Sequence, residues 1–440
     1  MHSKHAVRYY LVLTALLLFF YFSNDFGLID IQKSALILAV GIDREDTEFI
    51  VTAQIAVPQS SAQGKEAGAV QLESRGGTVA DALNQINVKT GWYPKLVFCK
   101  LIVLGEETVK HNVFDALDFF LRDEYMSDSC LVAACEGTAK AILDTATPID
   151  PISSVAAGKV LSAHAEKVGT VAPSTLREFS IGYFSAARSG SLPVLKPEKL
   201  QESSDGSAQN GAGGESQAPQ SGENKNGESQ SGGKDKSAFS PSRSDEPRAA
   251  EALPAAVSGS EKSGSAQPQA EEKVFSAGET MLFYDGVAVG KLTPEETFAY
   301  CIVVNKLRLA AYTTESDGVP YTLNIKNNTS SVRFAVDKNA AAMLDIRVNA
   351  VAGIENVSFA QTVPELSDTN PVPEEVFADA ENSLKEQILS VFEKSRLSGC
   401  DLFGVTERLR KFNTRYYPAY REDILDRLRL TVSVSLEGIR

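Results

Sequence analysis

Histidine and tryptophan are scarce in this chain of 440 residues, which carries four of the first and one of the second. His2 and His5 stand ahead of an apolar run at the N-terminus, so His111 and His164 are left for any acid–base or metal chemistry beyond it. No Ser-His-Asp or Cys-His arrangement can be drawn from their spacing. The five cysteines, Cys99, Cys130, Cys135, Cys301 and Cys400, form no CxxC pair and no metal-ligand pattern. Cys99 and Cys130 or Cys135 fall in two strand-like runs that can lie side by side, which leaves one disulfide open. The favoured reading is five small buried hydrophobes. Basic clusters are missing as well. With a net charge of −14 and no basic block past the first eight residues, the chain is poorly suited to nucleic acid. It is equally unsuited to adsorption on anionic lipid. Gly76-Gly77 and Gly286-x-x-x-Gly290 do not have phosphate-loop spacing. Asp43 and Asp46 read as a solvated turn tip, and Glu106-Glu107 as acids favoured by the dipole of a helix start. No catalytic residue, metal ligand or cofactor is expected.

What the chain does have is an apolar run from Ala6 to Phe22, roughly 17 residues against the roughly 20 that usually span a bilayer. Lys4 precedes it, Arg8 lies near its start and Asp25 and Asp30 follow, which orients the N-terminus inward and the rest outward. Tyr21-Phe22-Ser23-Asn24-Asp25 supplies a single small residue where signal cleavage would need several. No cysteine for lipidation occurs before Cys99. The expectation is an uncleaved transmembrane anchor at 1–25, with Tyr9, Leu11, Leu13, Leu16, Leu17, Leu18, Phe19, Phe20 and Phe22 facing lipid. A cleaved signal peptide and a buried core helix are the alternatives.

Beyond the anchor, Ser34–Asp43 and Glu48–Val57 predict a hairpin of buried strands. Thr78 predicts the cap of a helix through Val79, Ala82, Leu83 and Ile86. A strand at Leu96–Leu104, a helix from Glu106 to Arg122, a strand at Cys130–Cys135, a short helix capped by Thr138 and a helix at Val155–Val168 complete a first α+β domain, 31–175. A small middle domain, 176–284, encloses the segment 200–272, which is mostly Ser, Gly, Gln, Ala, Glu, Lys and Pro and too polar to fold. The third domain, 285–440, is expected to hold a helix from Pro294 to near Leu309 and strands around Tyr321–Ile325, Val332–Val336 and Met343–Val351. A long helix over Glu374–Arg396, a shorter one over Asp401–Phe412 and an alternating last strand, Leu428–Glu437, follow. The fold class is α+β: three mixed α/β domains after one transmembrane helix, with a long disordered insert.

Several stretches resemble the Ger(x)C family, the C subunits of bacterial spore nutrient-germinant receptors. They are Ala35–Asp43 with Thr52–Ile55, Lys95–Glu106, Phe119–Asp123, Ala139–Leu143, Gly286–Thr297, Asp401–Gly404 and Val432–Arg440. Each is weak alone; their order and spacing carry the resemblance. It implies a non-enzymatic three-domain protein on the outer face of the spore inner membrane, beside integral-membrane A and B subunits. The chain departs from the family where a lipidated cysteine followed by Trp-Asp is usual: Asn24-Asp25-Phe26-Gly27 stands there, so the apolar run would do the tethering. The long polar insert is a second departure. An extracytoplasmic ligand-binding module and a membrane-anchored cell-wall enzyme are the competing readings.

Overall fold

A computed structural model of the protein describes residues 2–23, 34–57, 68–162, 169–200, 273–337, 341–357 and 373–438. Helix α1, His2–Ser23, takes up the N-terminal apolar run. Among the described residues no helix is long and apolar enough to cross a membrane. The expected membrane crossing is therefore not a feature of the described structure.

Strands β1 (Ser34–Glu45), β2 (Glu48–Val57) and β3 (Gly68–Gly76) form an antiparallel meander. Asp46, with a φ of 53°, makes the tight turn of the first hairpin. Helix α2 (Val79–Thr90) starts where expected: the Thr78 side chain accepts the Asp81 N–H, and Gly91 closes the helix in the left-handed region. The chain continues through β4 (Tyr93–Lys95), β5 (Leu101–Leu104), α3 (Glu106–Val109), α4 (Phe114–Arg122) and β6 (Leu131–Cys135). It then forms α5 (Ala139–Asp144), α6 (Ser153–Leu161), α7 (Leu176–Phe184), β7 (Ser189–Lys199), β8 (Lys273–Tyr284) and β9 (Val287–Leu292). The nine strands make one sheet in the order β3-β2-β1-β5-β6-β7-β8-β9, with β4 beside the start of β1.

Strand β5 shows why the centre of this sheet is apolar without interruption. Ile102 and Leu104 enter a core with α2 and α4, while Leu101 and Val103 enter a second core with α5 and α6 on the other face. A parallel strand covered on both sides needs apolar residues at every position.

The second sheet follows α8 (Pro294–Val303) and has the order β10 (Leu309–Ser316), β11 (Val319–Val336), β12 (Ala342–Val357), β13 (Arg429–Gly438). Helices α9 (Glu374–Ser398) and α10 (Val405–Phe412) lie between β12 and β13 in sequence, and β13 joins β12 in parallel. Leu384, Ile388 and Val391 of α9 pack with Phe298 and Ile302 of α8 against Leu344, Ile346 and Val348 of β12. Strand β8 belongs to three cores: Phe275 and Ala277 join that of α5 and α6, Leu282 joins this one and Phe283 joins the core beneath α4 and α7.

Five expectations need correction. The strand foreseen over Leu96–Leu104 begins only at Leu101, because Leu96–Cys99 is a turn closed by the Cys99 N–H on the Leu96 carbonyl (2.8 Å). The helix foreseen over Glu106–Arg122 is two helices, because Asn112 Oδ1 takes the Phe114 N–H (3.0 Å) and the Val113 N–H is drawn to the Gly286 carbonyl (2.9 Å). The strands around Tyr321–Ile325 and Val332–Val336 are one long strand, irregular between Lys326 and Thr329 where Asn327 has a φ of 50°. The helix from Pro294 stops at Val303, so that Leu309–Ser316 is free to form β10. The helix foreseen from Asp401 begins only at Val405, with Asp401 at its head. The end expected for α6 at Val168 lies outside the described residues, as do residues 201–272, nearly the whole polar insert. That insert leaves and rejoins the sheet at directly paired positions, Lys199 and Lys273, the open end of the β7–β8 ladder.

Candidate functional site

The side chains described on α1 are those of Tyr9–Phe19 and Tyr21. Tyr9, Leu11, Leu13, Leu16, Leu17, Leu18 and Phe19 are all at least half exposed, and none contributes to a core. Phe20 and Phe22 lie outside the described side chains. An exposed aliphatic and aromatic helix of this kind has its apolar surface available to lipid, and no protein face described covers it.

The acids of the first hairpin divide. Asp46 is exposed at the turn, but Asp43 is not part of a solvated tip: it is 9% exposed and accepts the Ala139 and Lys140 N–H groups (2.7 and 3.1 Å) at the start of α5. Burial pushes its carboxyl above the usual 3.8, against the pull of those two hydrogen bonds. Gly105 is required beside it, since a side chain there would overlap the carboxylate. The alignment is a structural clamp from β1 to α5. An Asp directly after an apolar strand was the available signal, and it did not reveal the partner 96 residues away.

The thiols have no nucleophilic setting. All five are free and buried. Burial pushes Cys301 and Cys400 up to about 12. Cys130 is raised by its hydrogen bond with Cys99 and by burial. Among the described residues no cluster of three His, Cys, Asp or Glu is placed to hold a metal ion.

The polar groups that do converge lie where the two sheets' layers meet. A cleft of about 180 Å³ is lined by Ser174, Glu178, Tyr300, Lys306 and Asp401 among others. Small-molecule pockets usually enclose roughly 300–1,000 Å³ and are mostly apolar. The polar groups here are engaged with one another. Lys306 Nζ donates to the Pro173 carbonyl (2.7 Å), and Asp401 accepts the Val405 and Thr406 N–H groups (2.9 and 2.7 Å) while its own N–H donates to Ser189 Oγ (2.9 Å). The cleft is a latch between layers.

Two further charge clusters hold other elements together. Lys196 and Lys291 each bridge Glu136 and Glu279 at 2.5–2.9 Å, tying β7, β8 and β9 to the end of β6. Glu296 closes a capping box on Thr293 at the head of α8 and also receives hydrogen bonds from Ser390 (2.7 Å) and Lys394 (2.6 Å) of α9. Burial raises the Glu296 carboxyl, but Lys394, the Thr293 N–H and Ser390 outweigh it and hold the group below its usual 4.5. A depressed carboxyl contributes stability that is present above 4.5 and lost as pH falls through the lower folded value. Urea titrations carried from neutral pH to below 4.5 are expected to show that acid loss in the parent protein. Glu296→Gln should flatten it and cost about 1–2 kcal/mol at neutral pH.

Comparison with known proteins bears on what this assembly is for. Residues 28–197 match a family described as "Spore germination protein N-terminal domain", and residues 278–437 match one described as "Spore germination B3/ GerAC like, C-terminal". The chain belongs to the Ger(x)C family of spore germination proteins. The first match runs from β1 into β7, and the second takes in most of β8, all of β9 and the second sheet; both leave out α1 and the insert. No curated protein matches the chain by sequence. A solved structure described as "Crystal Structure of the GerBC protein" is similar at 14% identity, with 91% of this chain and 97% of that chain covered and a TM-score of 0.47. The Ger(x)C family is one of germinant-receptor subunits and is not known as an enzyme family.

Proposed function

We propose that this protein is a membrane-tethered C subunit of a spore germinant receptor, which works by protein–protein contact beside integral-membrane A and B subunits in nutrient-triggered germination. It sits on the outer face of the spore inner membrane, with α1 as a single-pass anchor. The observation that carries the reading is the ordered pair of family matches over residues 28–197 and 278–437, set behind a helix of exposed apolar side chains. The polar cleft and the buried cysteines agree with a role in assembly.

The reading is tested by affinity capture from solubilised spore inner membrane. Recovery of A- and B-type subunits with the tagged chain supports it, and their absence under mild detergent would sink it. Deleting residues 6–22 is expected to move the protein from the membrane pellet to the supernatant, because no cysteine before Cys99 offers a site for acyl attachment. Retention in the pellet would show that α1 is not the tether.

A further inference from the structure

Strand β4 and the segment around it expose an unusual set of side chains. Trp92 and Tyr93 are 42% and 44% exposed, and Val97 and Phe98 are 46% and 49% exposed. Val97 and Phe98 occupy the two central positions of a turn closed by the Cys99 N–H and the Leu96 carbonyl (2.8 Å). Such positions ordinarily carry Gly, Asn, Asp, Pro or Ser. Leu96 and Cys99, on either side, are buried in the core, so the turn is held rigidly with its apolar tip outward. Tyr125, from the loop before β6, joins the group: the Lys95 ammonium lies 5.7 Å from the Tyr93 ring and 5.2 Å from the Tyr125 ring. Aromatic rings with a polar edge, an apolar tip and a lysine amine among them are the composition that settles at a membrane–water interface.

Its position in the fold supplies the occupant. β4 runs parallel to the start of β1, with Ser34 opposite Tyr93. Ser34 is therefore both the first residue of β1 and a neighbour of the patch, and only residues 24–33 lie between it and the end of α1 at Ser23. A chain of that length reaches at most about 35 Å. With α1 in the bilayer, the patch cannot stray far from the lipid surface. Over residues 89–128 five Lys and Arg are outnumbered by seven Asp and Glu, so the segment offers no net attraction to anionic headgroups.

We infer that Trp92, Tyr93, Val97, Phe98 and Tyr125 form a docking surface that rests in the headgroup region of the membrane holding α1, fixing the orientation of the first sheet. The occupant is the zwitterionic lipid interface. The inference rests on the tethering read above, and one experiment separates the two.

Trp92 is the chain's only tryptophan and reports on the patch directly. The full chain is reconstituted into phosphatidylcholine vesicles with and without brominated acyl chains, floated on a density gradient, and its tryptophan emission recorded. The expected result is flotation with a blue-shifted emission that falls roughly twofold on bromination. In the Val97→Asp/Phe98→Asp variant flotation persists and the quenching is lost. Both positions are exposed, and a circular dichroism spectrum matching the parent's confirms the variant's fold. Flotation with unquenched Trp92 overturns the docking surface and leaves the tether standing. Quenching that survives the double substitution overturns the role of the turn. Trp92 that is shielded from iodide only when A- or B-type subunits are added assigns the patch to a protein partner, against the inference. Failure to float overturns tether and surface together.

Discussion

Replacing Phe283 with Ala is expected to lower the free energy of unfolding by about 3–5 kcal/mol. Phe283 is 1% exposed and stands edge-on to Phe179 of α7, with ring centroids 5.2 Å apart. Phe179 in turn stacks on Phe114 of α4, whose ring also lies 3.7 Å from that of Tyr183. Truncation removes the far end of this aromatic row and leaves a cavity that rigid neighbours cannot close. The neighbour Leu282 faces the C-terminal core, so a void at 283 loosens a strand that enters both cores. Urea unfolding followed by circular dichroism measures the loss. A cost below about 1 kcal/mol would mean that the β8 junction repacks freely.

The second large effect is at Asp43. Asp43→Ala is expected to cost about 2–4 kcal/mol, because the buried Ala139 N–H loses its acceptor and Lys140 N–H loses the other carboxylate oxygen. Asp43→Asn keeps one acceptor and should cost about half as much. The pH dependence has a distinctive sign. The folded carboxyl titrates above 3.8, so ionising it opposes folding, and this group's contribution declines as pH rises from 3.8 through the folded value. The Asn variant lacks that decline, the reverse of what Glu296→Gln is expected to do at the acid end. Stability curves of both variants over one pH series discriminate a buried clamp from an ordinary surface ion pair.

These effects are structural, which suits a protein whose polar groups converge on holding layers together. Lys394–Glu296, the Lys196–Lys291–Glu136–Glu279 set and Asp401 all lie at seams between elements far apart in sequence. The surfaces of interest are those facing outward: the helix α1 and the aromatic end of the first sheet.

The sequence by itself determined the local units and the family. Period-two alternation made β13 readable, with Val432 and Leu436 inward and Arg429, Ser433 and Glu437 outward. Helical spacing of Ala380, Leu384, Ile388 and Val391 gave α9, stopped by Gly399 in the left-handed region. Such signals survive because each depends on neighbours a few residues away and on water. The scarcity of histidine and of paired cysteines likewise told against metal and nucleophile chemistry. Only the tertiary structure decided the remainder. β3 has too polar a sequence, with Gln71, Glu73, Ser74 and Arg75, to be seen as a strand until β2 supplies its hydrogen-bond partners. The break between α3 and α4 is imposed by the Gly286 carbonyl, far along the chain. Asp43 reads as a turn acid until α5 brings its free N–H groups against it. Phe98 reads as a strand residue until the burial of Leu96 and Cys99 turns it outward. In each case the deciding force is a partner brought in by folding, and local sequence carries no record of where such a partner will stand.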